Sequence, residues 1–73
     1  MQVMRFINGG YAIHHIKGDF KGNMSAWFDK DGKLLDAEQI PVPFGSSRRV
    51  KPNGAMWQLA EKVGQRSKHI PVA

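Results

Sequence analysis

Val3-Met4-Arg5-Phe6-Ile7-Asn8-Gly9-Gly10-Tyr11-Ala12-Ile13-His14 is the stretch on which the fold turns. Apolar, aromatic and β-branched residues crowd both ends of it, and Asn-Gly lies between them. Asn-Gly supplies the two positive φ values of a type I′ turn, the strongest short hairpin signal. With Asn8-Gly9 as the turn, Phe6 pairs with Tyr11 and Met4 with Ile13. Those four then share one face, and Arg5 and His14 take the other. A turn at Gly9-Gly10 would instead pair Phe6 with Ile13 and set Met4 opposite His15. The first register gives the cleaner apolar face and is the expected one.

Residues 24–29 and 33–39 repeat the pattern around Asp31-Gly32. That turn sets Phe28 opposite Leu35 and Ala26 opposite Ala37, on the face of Met24. Trp27, Asp36, Ser25 and Glu38 then point the other way. The two hairpins predict an antiparallel meander of about four strands over residues 1–40. The polar connection Lys17-Gly18-Asp19-Phe20-Lys21-Gly22-Asn23 is long for a hairpin and leaves the strand order around it open. A sheet with one apolar face needs a cover.

Pro41 and Pro43 cannot donate ladder hydrogen bonds, so Ile40-Pro41-Val42-Pro43-Phe44-Gly45 should end the sheet. Gly45 to Asn53 is polar and basic without a period and reads as a loop. Helical spacing follows, with Met56, Leu59, Ala60 and Val63 at i, i+3, i+4 and i+7. Asn53 is the expected N-cap, Lys62 and Arg66 suit the dipole near the end, and Gly64 and then Pro71 limit the length. A helix over about residues 54–66 is marginal alone in water, so it must lean on the sheet or on a partner. Residues 67–73 read as a frayed end. The expectation is one α+β domain, with a sheet half over 1–40 and a basic, flexible half over 41–73.

With 73 residues, the chain buries only about 60% of its unfolded surface, which leaves little room for a cofactor fold plus a substrate pocket. There is no cysteine, which removes disulfides and thiolate metal sites. Apolar runs of two or three residues exclude a membrane span and a signal-peptide core. The net charge is +5, and its position is informative. Residues 1–40 balance Arg5, Lys17, Lys21, Lys30 and Lys33 against Asp19, Asp29, Asp31, Asp36 and Glu38. Residues 41–73 set Arg48, Arg49, Lys51, Lys62, Arg66 and Lys68 against Glu61 alone. The whole excess lies in the second half.

Candidate chemistry is sparse. Asp29-Lys30-Asp31-Gly32 begins like a calcium loop, but the twelfth position, which needs Glu, is Ile40. A hairpin turn explains it. His14 and His15, with His69, suggest a metal, yet adjacent strand residues face opposite ways and cannot readily share an ion. Ser46-Ser47 has no evident base held by a third group. Asn23-Met24-Ser25 matches a glycosylation tripeptide that means little without a secretion signal. No carboxylate pair is set to divide acid and base roles. No catalytic residue, no metal, no cofactor, no small-molecule substrate and no membrane partner is expected.

Arg48-Arg49-Val50-Lys51 is the densest basic run. It reads either as a solvated loop or as an anion contact, which Lys62, Arg66 and Lys68 would extend if the helix docks nearby. Trp57 is either a flank of the core or an exposed anchor, and Trp27 on the outer sheet face is equally ambiguous. An RNA-binding sheet groups aromatics on one open face. The outer face read here offers only Trp27, with Asp36 and Glu38 nearby.

From Met1-Gln2-Val3-Met4-Arg5-Phe6 through the Arg48-Arg49 run to the basic end, the whole chain resembles the small transcription regulators of lytic Xanthomonas phages. No short motif defines them; the resemblance is one of length and overall look. It implies a non-enzymatic protein of the host bacterial cytoplasm that binds host RNA polymerase. Such a protein inhibits initiation by displacing the sigma factor and promotes antitermination. The implied contacts are the N-terminal part of the β′ subunit and, during antitermination, the RNA exit region, with nascent RNA or elongation factors as further partners. On this reading Val3, Met4, Arg5 and Phe6, on a strand edge open to an extended peptide, join Trp27 and Trp57 as contact residues. Arg48, Arg49, Lys51, Lys62 and Arg66 would reach acidic or RNA-bearing surfaces. The alternative is a small basic RNA- or DNA-binding module.

Overall fold

A computed structural model describes residues 1–41 and 45–67. Five strands run in order along one antiparallel sheet: β1 (Gln2–Arg5), β2 (Tyr11–Ile16), β3 (Asn23–Phe28), β4 (Leu34–Ile40) and β5 (Arg48–Arg49). A single helix, α1 (Ala55–Ser67), follows. The α+β class and the meander agree with the sequence, and the 17–23 connection joins neighbouring strands. To the four strands of the two hairpins the structure adds a fifth, β5, at the far edge.

Both turns differ from the two-residue form in the same way. Gly9 N donates to Phe6 O and Phe6 N to Gly10 O, closing a three-residue loop, Ile7-Asn8-Gly9. Gly32 N donates to Asp29 O and Asp29 N to Lys33 O, the same device again. Gly9 and Gly32 take φ of 91° and 87°, the left-handed position that such a loop needs for its bulge. Asn8 Oδ1 accepts from Gly10 N at 2.9 Å, and Asp29 Oδ1 accepts from Asp31 N and Lys33 N.

The extra loop residue moves β1 by one position. Val3 pairs with Ile13, Met4 with Ala12 and Arg5 with Tyr11. This corrects the expected Met4–Ile13 and Phe6–Tyr11 pairs, and a one-residue shift turns every β1 side chain over. In the second hairpin Ala26–Ala37, Ser25–Glu38 and Trp27–Asp36 pair as expected, but Phe28 meets Leu34. Leu35 is the odd residue of that bulge and is 58% exposed. A second bulge puts His15 at φ 62° and brings Ile16 back opposite Met24.

The helix covers the face of Tyr11, Ile13, Ile16, Met24, Ala26, Phe28, Leu34 and Ala37, contributing Ala60 and Val63 to their core. Its buried stripe is Ala60, Val63, Gly64 and Ser67, with Met56, Trp57 and Leu59 packed at the margin. Gly64 does not stop the helix. It is the seat of the Phe28 ring, and its carbonyl accepts a buried bond from Tyr11 Oη at 3.0 Å. Asn53 is not the N-cap: it lies at φ 67°, and the first helical bond runs from Gln58 N to Gly54 O. Gly54 is therefore the half-in residue.

Residues 45–67 are likewise no loose appendage. Val50 is buried, and its N–H donates to Ala37 O at 2.9 Å. The basic run expected as a flexible loop is thus partly an edge strand. The frayed end expected over 67–73 lies, beyond Ser67, outside the described residues.

Candidate interaction face

The sheet face opposite the helix is uncovered. Cross-strand rows define it. Met4, Ala12, Trp27 and Asp36 form one row across β1 to β4. Gln2 and His14 begin the next, which continues through Ser25 and Glu38 to Arg49. Phe6 lies beyond Met4, on the same side by alternation. Met4 and Phe6 are 46% and 41% exposed. Phe6, Gly10, Trp27, Phe28 and Leu35, with Asn8, Asp29 and Lys30, line a groove of about 510 Å³ between the two turns.

The register explains this face and its oddity. Apolar Met4 and Phe6 lie outside, while on the helix side the same strand places Val3, half-buried, and Arg5. The Arg5 guanidinium sits over the Tyr11 ring, 5.2 Å from its centroid, a contact of about 0.5–1 kcal/mol at an exposed site. Tyr11 itself stacks on Phe28 at 4.8 Å. Burial pushes the Tyr11 hydroxyl above its ordinary pKa, the nearby Arg5 charge opposes this, and Asp29 adds to it.

Four of the polar side chains on the face pair with one another. His14 Nδ1 and Ser25 Oγ are 2.9 Å apart, and His14 meets the Trp27 ring edge-on. A serine beside an imidazole invites a nucleophilic reading, but Ser25 is 2% exposed and offers no approach to a substrate. Arg49 forks onto Asp36, with Nε 3.2 Å from Oδ1 and Nη2 3.1 Å from Oδ2. The hydrogen bond to Asp36 and its charge raise the Arg49 pKa still further. Among the described residues no group of three or more His, Asp or Glu is placed to hold a metal ion.

The structure therefore sorts the candidate residues anew. Met4, Phe6 and Trp27 come together on the open face; Leu35, expected opposite Phe28 on the core face, joins them because the bulge gives its place to Leu34. Val3 and Arg5 face the helix side. Arg48 and Arg49 part company, since neighbouring strand residues alternate. Lys51 is exposed where the chain turns into α1. Lys62 and Arg66 share the solvent face of α1 with Gln58, Glu61 and Gln65. Trp57 packs against the core as a flank.

Comparison of the chain with protein-family models, curated proteins and solved structures finds no match to any of them. No helix of the described residues is long and apolar enough to cross a membrane.

Proposed function

We propose that this chain is a non-catalytic protein-binding domain whose outer sheet face and β1 edge dock on a bacterial RNA polymerase in the host cytoplasm. There it would block initiation by displacing the sigma factor and promote antitermination. One observation carries the docking part of the reading. A strand that could have buried Met4 and Phe6 instead exposes both beside Trp27 and Leu35, and turns Arg5 to the helix side. Val3 and the Arg5–Tyr11 contact take the inner side of β1, and the two large apolar side chains left exposed on the other side point to a surface kept for a partner. Val3, in the non-hydrogen-bonded phase set by the Phe6–Gly10 bond, points its backbone groups away from β2, as strand addition requires. The resemblance to the phage regulators supplies the polymerase as partner and its β′ N-terminal region as docking site.

A second reading, a small RNA- or DNA-binding module, draws on Phe6, His14 and Trp27 sharing one open face and on the net charge of +5. Asp36 and Glu38 on that face weigh against it. Affinity capture from a bacterial lysate after nuclease treatment separates the two. Recovery of RNA polymerase by the 73-residue chain, lost at least tenfold in Met4→Ser/Phe6→Ser, supports docking. Loss of every partner on nuclease treatment supports the module and refutes docking.

A further inference from the structure

At the opposite edge of the sheet lies a second concavity that the outer-face reading does not use. It measures about 420 Å³ and is lined by Lys21, Gln39, Pro41, Gly45, Ser46 and Arg48. Gln39 organises it. Its Nε2 donates to Lys21 O at 2.8 Å, which ties the 17–23 connection to β4, and across the strands Gln39 pairs with Arg48. Lys21 and Arg48 are thus brought to one cleft from segments 27 residues apart (48 − 21). Ser46, on the chain leading into β5, adds a hydroxyl to the lining.

The electrostatics are one-sided. Neither side chain of this pair makes a hydrogen bond or ion pair among the described residues, whereas Arg49, one residue on, is engaged by Asp36. Among the described residues no carboxylate lines the cleft. Glu38 is adjacent to Gln39 in β4 and so projects to the other face. Two cations and a hydroxyl lining one cleft, with no counter-charge among the described residues, suit a tetrahedral oxyanion with at least two acceptor oxygens to share.

We propose that this cleft binds a phosphate group, with Arg48 and Lys21 as its cationic contacts and Ser46 as a neutral donor. The shared chemistry is the phosphate oxygens; a free phosphate and the backbone of a single-stranded nucleic acid are its two sources.

The test is a ¹H–¹⁵N titration of the 73-residue chain at constant ionic strength, with chloride as background. One arm uses inorganic phosphate and the other an unphosphorylated oligouridylate. Saturable shifts centred on Gln39, Gly45, Ser46 and Arg48 are expected. Lys21→Gln/Arg48→Gln should weaken binding at least tenfold, and Lys62→Gln should leave it unchanged. Saturation by inorganic phosphate assigns a free phosphate. Saturation by the oligonucleotide alone, with a salt slope lowered by roughly 0.7 for each contact removed, assigns a backbone. Shifts that never saturate, that spread equally over Lys51, Lys62 and Arg66, or that survive the double substitution overturn the proposal. Both variants lie on the surface, and their amide spectra report directly whether the fold persists.

Discussion

Gly64→Ala sets two physical effects against each other, and the structure decides between them. In an exposed helix interior the change stabilises by about 1 kcal/mol, because alanine is the better helix former. At position 64 an added Cβ would overlap Cε2 of Phe28 and stand 2.6 Å from Cζ and 2.9 Å from Cδ2. Phe28 cannot swing aside, since it is 2% exposed and stacked on Tyr11. The helix must lift instead, which costs about 1–3 kcal/mol for overpacking. Lifting also stretches the buried Tyr11–Gly64 bond, worth about 1 kcal/mol. The net expectation is a loss of about 2 kcal/mol, or roughly 8–16 °C in Tm for a domain of this size. Thermal unfolding followed by far-UV circular dichroism reads it. Phe28→Leu in the same chain should recover at least about 1 kcal/mol of the loss in a double-mutant cycle, because both changes act on one contact. A Gly64→Ala protein that melts at or above the parent temperature would refute the docking of α1 on Phe28.

Three further outcomes follow from particular residues. His15→Gly should raise Tm by a few degrees in calorimetry, since φ of 62° costs a β-branch-free L-residue about 1 kcal/mol that glycine does not incur. Tyr11 has its pKa raised in the fold, so its contribution is complete below the unfolded value near 10 and is lost as pH rises through the folded value; stability should fall in that alkaline window, and Tyr11→Phe should flatten the fall in denaturant midpoints. Arg49→Glu should lower the unfolding midpoint by placing a carboxylate beside Asp36 and Glu38, while Arg48→Glu should not; the difference should shrink in about 0.5 M NaCl.

The class of fold was legible because glycine-bearing turns and helical spacing are local signals. The register was not. Asn-Gly and Asp-Gly serve both two-residue turns and the last two places of a three-residue loop, and only the hydrogen bonds from Phe6 and Asp29 distinguish them. Alternation argued for burying Met4 and Phe6, and it failed where β1 keeps them outside. β5 has two residues and no periodicity of its own; pairing with Glu38 and Gln39 creates it. Gly64 carried the sign of a helix end, and only the position of Phe28, 36 residues earlier (64 − 28), gives it another role. The candidate face was half legible: Trp27 was placed on it, and its apolar neighbours were assigned to the core.

The same register changes what the charge means. Counted along the chain, the excess of +5 belongs to residues 41–73 and suggests one basic arm. Folded, it divides. Asp36 holds the charge of Arg49 on the outer face, Arg48 joins Lys21 from the nominally neutral half, and Lys62 and Arg66 lie on the solvent side of α1. The excess is therefore spread over the outer face, the β4–β5 cleft and the solvent side of α1, and does not form one basic arm. The outer face sets Asp36, Glu38 and Arg49 beside Met4, Phe6, Trp27 and Leu35, two carboxylates against one guanidinium among apolar side chains. On the proposed reading a partner there would be selected by shape and apolar contact, whereas the phosphate proposed for the cleft at the other edge would be selected by charge; the two concavities share no lining residue.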